Sequence, residues 1–310
     1  MKKFQARSHM SNIQSLSSNK ISDNYRDSFA IMYENIDNVL ADTTCTICGR
    51  TLEAPIMVGP IHTGDDWEAW KDEDFAKAVH EAGSFVWTHW HNPEGWKKTL
   101  AAGTPGIRVM KPLTDMKEQL DEIAYDTEHG ALGYAMDISH GLNPYGEKDG
   151  PDEIFNGKST EDLIKLNEAS PLPFFLKDVM SLHDAKVAAE VGCAGIILSG
   201  HNNRFPCQVP PLWLLPKVRE LYGDKLTILV DGGITSGYEA FKALALGADG
   251  VLVARPFAAA YNKGGTEEVT YKMRELAAQL RGAMTHTNSP DLQHINRDAL
   301  VQLDASFCRG

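Results

Sequence analysis

No stretch of about eighteen apolar residues occurs in this 310-residue chain, and no short apolar core follows a basic opening segment. A membrane span and a secretory leader are therefore both excluded from the reading. Cysteine is scarce at five, an odd number, so no disulfide framework is implied and a reduced, cytoplasmic setting is expected. The lone Cys45-Thr46-Ile47-Cys48 has neither a second pair nor histidines at finger spacing. It reads as a buried or strand-connecting pair rather than a zinc site, and no metal is expected. Surplus positive charge is missing too: 30 Lys and Arg face 42 Asp and Glu, for a net charge of −12. That argues against nucleic acid or an anionic membrane as a partner, because both need clustered cations to displace counterions. It does not exclude an anionic ligand held by local donors. Repeats and low-complexity tracts are also absent, while 43% apolar and 23% charged residues are the proportions of one globular domain with a sizeable core.

What is present is concentrated in the last third. Three apolar runs each end in a small polar cluster: Ile196-Ile197-Leu198-Ser199-Gly200-His201-Asn202-Asn203-Arg204, Thr227-Ile228-Leu229-Val230-Asp231-Gly232-Gly233 and Gly250-Val251-Leu252-Val253-Ala254-Arg255-Pro256. Continuous apolar runs of this length suit parallel strands covered on both faces. Helical spacing in 212–221 and 238–246 separates them, giving strand, helix, strand, helix, strand. In such folds chemistry collects at the strand C-terminal ends, which places His201, Arg204, Asp231 and Arg255 at one mouth.

Upstream, the same alternation continues. Strands are expected over 54–60, 84–88, 106–110, 131–137 and 174–177, with helices over 67–82, 96–102, 115–129, 160–167 and 182–191, and a last helix over 270–284. Eight strands in this order make a single-domain α/β (β/α)8 TIM barrel over 28–290. Residues 1–27 read as a polar, flexible leader in which Arg7-Ser8-His9-Met10 looks like a cloning remnant, and 291–310 as a C-terminal extension. The segment 28–40 reads as a short helix or as a piece closing the barrel floor. Residues 138–171, rich in Gly, Pro, Asn and Asp, form a long excursion of the kind that serves as a lid or substrate loop.

Placed in order, the strand ends resemble those of the FMN-dependent α-hydroxy-acid oxidases and dehydrogenases, the group of glycolate oxidase, lactate oxidase and mandelate dehydrogenase. Phe175-Leu176-Lys177-Asp178-Val179 is similar to that family's Leu-Lys-Gly strand, and Ser199 to Arg204 to its Ser-Asn-His-Gly-Gly-Arg. Asp231-Gly232-Gly233-Ile234, the run from Lys242 to Ala248, and Ala254-Arg255-Pro256 follow the same pattern. The resemblance implies bound FMN, a small-molecule substrate and reoxidation by oxygen or a redox carrier. It also implies a homo-oligomer.

Under this resemblance Lys177 would lie against the flavin and stabilise the negative charge of its reduced form; a structural salt bridge with Asp137 or Asp231 is the alternative. His201 would be the base, since imidazole titrates near neutrality, with Asp137 orienting it. Arg204 offers a fork of donors to a substrate carboxylate. Gly233, Gly232, Ala254 and Arg255 would hold the FMN phosphate. Gly59, Pro60, Ile61, Thr88, Met110, Lys111, Ser199 and Asp231 complete the expected cofactor contacts.

Departures from the family pattern fall on acid recognition. The second carboxylate arginine is replaced by Pro144, the active-site tyrosines have no counterpart, Gly-Gly has become Asn202-Asn203, and Thr235 stands where a phosphate-side arginine is usual. The flavin half of the site is thus retained and the acid half rebuilt. His62, His89, His91, His140, Trp87 and Trp90 are expected near the same mouth, as a pocket for a larger or less anionic substrate. The leading expectation is an FMN-dependent oxidoreductase acting on an alcohol or related activated C–H or amine carbon. A redox-neutral enzyme like the type 2 isopentenyl-diphosphate isomerases, or a non-catalytic flavin-binding barrel, are the alternatives.

Overall fold

A computed structural model of the protein describes residues 17–61, 72–89, 92–149 and 154–304. Along the chain it gives α1 (Ser18–Asp27), β1 (Phe29–Ile31), β2 (Cys45–Ile47), β3 (Arg50–Leu52), β4 (Ile56–Val58), α2 (Asp72–Glu81), β5 (Trp87–Thr88), α3 (Pro93–Ala101), β6 (Ile107–Met110) and α4 (Met116–Glu128). There follow β7 (Gly133–Asp137), α5 (Thr160–Glu168), β8 (Phe174–Lys177), α6 (Leu182–Val191), β9 (Gly195–Leu198), α7 (Pro211–Tyr222), β10 (Thr227–Asp231), α8 (Gly237–Leu246), β11 (Gly250–Val253), α9 (Arg255–Thr285) and β12 (Leu300–Gln302).

Eight of these strands form one parallel sheet in the order β4-β11-β10-β9-β8-β7-β6-β5. A parallel bridge between Val58 and Val86 joins its two ends and closes the barrel. The protein is a (β/α)8 barrel. Strand period decides what fills it: Met57, Trp87, Ile107, Ala135, Phe175, Ile197, Leu229 and Leu252 pack inside, while alternate residues such as Val58, Met136, Leu176, Leu198, Val230 and Val253 pack outward with the helices. The antiparallel hairpin β2–β3 sends Ile47 and Leu52 into the inner cluster. Cys48 and Gly49 make its turn with positive φ of 49° and 72°, the backbone of a tight hairpin. Burial pushes the thiols of Cys45 and Cys48 up to about 12.

Helix ends are written in the sequence. Ser159 and Ser236 each make a reciprocal capping box at the start of α5 and α8, and Gly192 and Gly247 end α6 and α8 in the left-handed region.

Three expectations are corrected. Residues 18–27, assigned to a flexible leader, form α1, which is held by polar contacts to loops far along the chain; residues 1–16 lie outside the described residues. Residues 28–40 make no helix, because β1 pairs antiparallel with β12, Phe29 opposite Gln302. The presumed extension thereby joins the fold. The last helix begins at Arg255 rather than near 270, with a local break at Gly264 and Gly265. Among the described residues no helix is long and apolar enough to cross a membrane.

Candidate active site

Lys177 and Asp137 end neighbouring strands and are paired in register, so the sheet itself sets them side by side at the mouth. Lys177 is only 2% exposed, and an ammonium so buried needs anionic partners. Its Nζ lies 2.8 Å from Asp178 Oδ1, 3.0 Å from Asp137 Oδ1 and 3.8 Å from Asp231 Oδ2. Burial disfavours the charge, but the three carboxylates outweigh it and raise the Lys177 pKa. Asp178 is held well below the usual carboxylate range despite its burial, chiefly by Lys177 and then by His201. Asp231 is shifted upward because its desolvation exceeds the help from Lys177.

His201 adjoins this cluster, with Nδ1 2.8 Å from Asp178 Oδ2 and 3.7 Å from Asp137 Oδ1. The orienting carboxylate in contact is therefore Asp178, and the expected Asp137 contact is longer. Asp137 instead receives Lys111 Nζ at 2.6 Å. The same Lys111 Nζ is 2.8 Å from His140 Nε2, whose ring faces His201 with the two Nε2 atoms 3.1 Å apart. The Lys111 ammonium can only donate, so His140 Nε2 is an acceptor there and faces His201 Nε2 with its lone pair. His140 Nδ1 meets Asp149 Oδ2 at 2.7 Å. Burial, followed by the neighbouring Lys111, His201 and Arg204, pulls His140 down to about 4.

Asp137, His140, Asp178 and His201 offer ligand-type atoms within 4.8 Å of one another. Lys111 and Lys177 aim their ammonium groups at the same carboxylates, so a divalent cation there would meet two positive charges at contact distance.

His201, Asn202 and Asn203 follow one another in the left-handed region, with φ of 45°, 49° and 70°, and Asp178 has φ of 69°. Asn and Asp are the side chains that adopt this region most readily after glycine. The replacements of Gly by Asp178, Asn202 and Asn203 therefore keep the backbone path of the resembled motifs while adding polar side chains. Those side chains are used: Asn203 Oδ1 accepts from Ser18 N at 2.5 Å, and Asn202 Oδ1 accepts from Asn19 Nδ2 at 2.9 Å. They dock the start of α1 on the His201 loop.

A cleft of about 360 Å³ runs from Lys177 and His201 past Pro60, Ile61 and Asn19 to Gly232, Gly233, Ala254 and Arg255. At its far end α9 starts without a side-chain cap, its N-cap residue being Ala254. Pro256 has no N–H and Phe257 N already donates to the Ala254 carbonyl at 3.0 Å, so the anion-binding corner is offered chiefly by the Arg255 side chain beside the positive-φ turn of Gly232 and Gly233. Arg255 makes no ion pair among the described residues. Arg26 from α1 also reaches this corner and donates to the Gly233 carbonyl at 2.6 Å, a contact invisible to local pattern. Its charge is answered by Glu239 at 2.9 Å and Asp23 at 2.8 Å.

The remaining expected residues are spread more widely. Gly59, Ile61, Thr88 and His89 line a small neighbouring recess. Ser199 Oγ donates to Asp231 at 3.1 Å and accepts from the His201 N–H, which makes it a brace for the loop. Met110 is completely buried in the core. Trp87, expected at the mouth, points into the barrel, its Nε1 directed at Met57 Sδ at 3.4 Å. His62, Trp90 and His91 lie outside the described residues.

Residues 151–302 match the family model described as FMN-dependent dehydrogenase. Over that stretch the chain is similar to the FMN-dependent dehydrogenase family. Lys177, His201, Asp231 and Arg255 all fall within the family match. An L-lactate dehydrogenase of Caulobacter sp. (strain K31) is 38% identical over 145 residues, covering 46% of this chain and 38% of the relative. An L-lactate oxidase of Alicycliphilus denitrificans (strain DSM 14773 / CIP 107495 / K601) is 36% identical over 158 residues, covering 49% and 43%. The chain thus spans well under half the length of these curated relatives. A mandelate oxidase structure superposes with a TM-score of 0.81 at 24% identity, covering 92% of this chain and 91% of that one, which establishes the shared barrel.

Proposed function

We propose that the chain binds FMN in the cleft between Lys177 and Arg255 and oxidises an alcohol or amine carbon beside an activating group. The observation that carries this reading is the pairing, in one cleft, of a buried cation and a carboxylate-held histidine with an uncapped helix start, a Gly-Gly turn and an arginine at the other end. These residues fit the group: the corner at Gly232, Gly233 and Arg255 suits a phosphate, and Lys177 suits a ring that becomes negative on reduction. FMN, when bound, supplies a two-electron acceptor.

In this reading Lys177 stabilises the accumulating negative charge, and its three carboxylate neighbours keep the ammonium fixed. His201 Nε2 takes the proton of the substrate hydroxyl or amine as the C–H bond yields its hydrogen and electron pair, leaving a carbonyl or imine. Asp178, at Nδ1, holds the ring and stabilises it once protonated. Oxygen or a redox carrier removes the electrons. A cytoplasmic homo-oligomer is part of the same proposal, by analogy with the family.

The test is optical. Purified protein supplied with FMN turns yellow, and an anaerobic titration with a true substrate bleaches the visible band. The His201→Asn variant keeps the colour and loses the bleaching. A protein that takes up no FMN removes the cofactor assignment, and bleaching that survives His201→Asn removes the base.

A further inference from the structure

Arg204 is the group expected to grip a substrate carboxylate, yet its Nε and Nη2 are already engaged by the loop that follows β7. Its Nε donates to the Ser139 carbonyl at 3.3 Å, its Nη2 to the Leu142 carbonyl at 3.3 Å, and the same Nη2 pairs with Asp149 Oδ2. The side chains of both ions are largely shielded, at 14% and 19% exposure, so this is not a solvated surface pair. Asp149 Oδ2 also receives His140 Nδ1 at 2.7 Å, and His140 in turn meets His201. The carboxylate is thereby linked through one ring to the candidate base.

The loop is shaped to present that carboxylate. Asn143 N donates to Glu147 O at 2.7 Å and Gly146 N to Asn143 O at 2.9 Å, while Leu142 and Lys148 form an antiparallel bridge. This small hairpin ends at Asp149. Pro144, in the position where the resembled family carries its second carboxylate arginine, lies in the turn of the same hairpin.

We propose that Asp149 is a specificity-determining residue. It supplies from the protein the carboxylate that Arg204 would otherwise take from the substrate, so the accepted substrate carries no anionic group beside the reacting carbon. The charges at the mouth agree: Lys111, Lys177 and Arg204 face Asp137, Asp149, Asp178 and Asp231. An incoming carboxylate would find its arginine neutralised and carboxylates in excess. A neutral or cationic substrate would lose nothing by entering. The inference rests on the oxidoreductase reading and narrows it to a substrate class.

Two measurements on the full-length, FMN-loaded chain test it. In the first, calorimetric titration with oxalate compares wild type, Asp149→Asn and the double variant Asp149→Asn/Arg204→Ala. Freeing the guanidinium is expected to tighten oxalate binding roughly tenfold or more, and removing Arg204 to abolish that gain. Equal oxalate affinity in wild type and Asp149→Asn overturns the proposal, since Asp149 would then be a latch that any carboxylate displaces. In the second, which needs no variant, anaerobic bleaching of wild type is compared for 2-hydroxy acids and their methyl esters. The esters are expected to bleach the band faster by about tenfold or more, and a faster acid overturns the proposal. A chain that takes up no FMN fails the cofactor reading instead, and oxalate titration of the cofactor-free chain still tests Asp149.

Discussion

At the scale of single residues, His140 has the most exposed consequence. Burial and the neighbouring Lys111, His201 and Arg204 hold its pKa at about 4, against an ordinary value of 6.5. Between those two values the unfolded chain binds more protons than the folded one at this site, so the stability that His140 contributes rises with pH across the window. It is fully present above about pH 6.5 and is lost as the pH falls toward 4. The thermal midpoint of the wild type should accordingly drop more steeply between pH 6.5 and pH 4 than that of His140→Gln. Superimposable profiles would show that His140 is not the titrating group. His140 entered the sequence reading only as one of several mouth histidines, because Lys111 and His201 come from two other strand ends and Asp149 from nine residues further along its own loop. Lys177 and Arg255 were legible for the opposite reason. Each stands directly after an apolar run, where a charge has no place unless it works at the mouth. Asp178 escaped, since a carboxylate after a strand reads as surface charge, and only its positive φ turns it back beneath His201.

At the scale of elements, β8 is the clearest success of pattern reading, Phe174–Lys177 being the expected run itself. Three buried apolar residues ending in a lysine read as a covered strand that delivers its charge to the mouth. The start of α9 was missed because Asn262-Lys263-Gly264-Gly265 reads as a breaker, whereas the helix resumes beyond two non-helical glycines. Helix α1 was missed because its sequence, SNKISDNYRD, offers only Ile21 and Tyr25, one turn apart, as its apolar face, of which Tyr25 packs against the core and edge-on to Phe29. What fixes it is polar docking at both ends: Ser18 and Asn19 on the His201 loop, Arg26 on Gly233 and Glu239. Asn203 acts there as a helix cap delivered from 185 residues away. Loss of such a cap costs about 1 kcal/mol, and a non-glycine side chain without local hydrogen bonding at positive φ costs a further ~1 kcal/mol. Stability should therefore fall in the order wild type, Asn203→Gly, Asn203→Ala, as read by denaturant midpoint. Proteolysis within 17–28 should speed up in the same order. Variants indistinguishable from wild type would mean that the other contacts of α1, among them Ser18 with Phe205, Asn19 with Asn202 and Arg26 with Gly233, hold it without Asn203.

At the scale of the whole molecule, the barrel has one thin seam. β5 is two residues long, and β4 reaches it through the single Val58–Val86 bridge and a Val58 N to Phe85 O bond of 3.3 Å. Pro60 and Ile61, which leave β4 beside that seam, share the cleft with Lys177 and with Arg255 after β11. A ligand filling the cleft would tie together the loops that follow β4, β8, β9, β10 and β11, so its binding should stabilise the barrel. At a free FMN concentration a hundredfold above its dissociation constant, linkage predicts about 2.7 kcal/mol. For a domain of this size that corresponds to a rise in thermal midpoint on the order of 5–10 °C. Arg255→Ala, which removes a charge-assisted contact worth about 1.5–3 kcal/mol, should weaken FMN binding and shrink the rise at the same FMN concentration. Its cofactor-free melting temperature should stay near that of the wild type, since Arg255 has no ion pair among the described residues to lose. Coincident melting curves with and without FMN would place the cofactor elsewhere or nowhere, because a ligand bound only to the folded barrel cannot leave its stability unchanged.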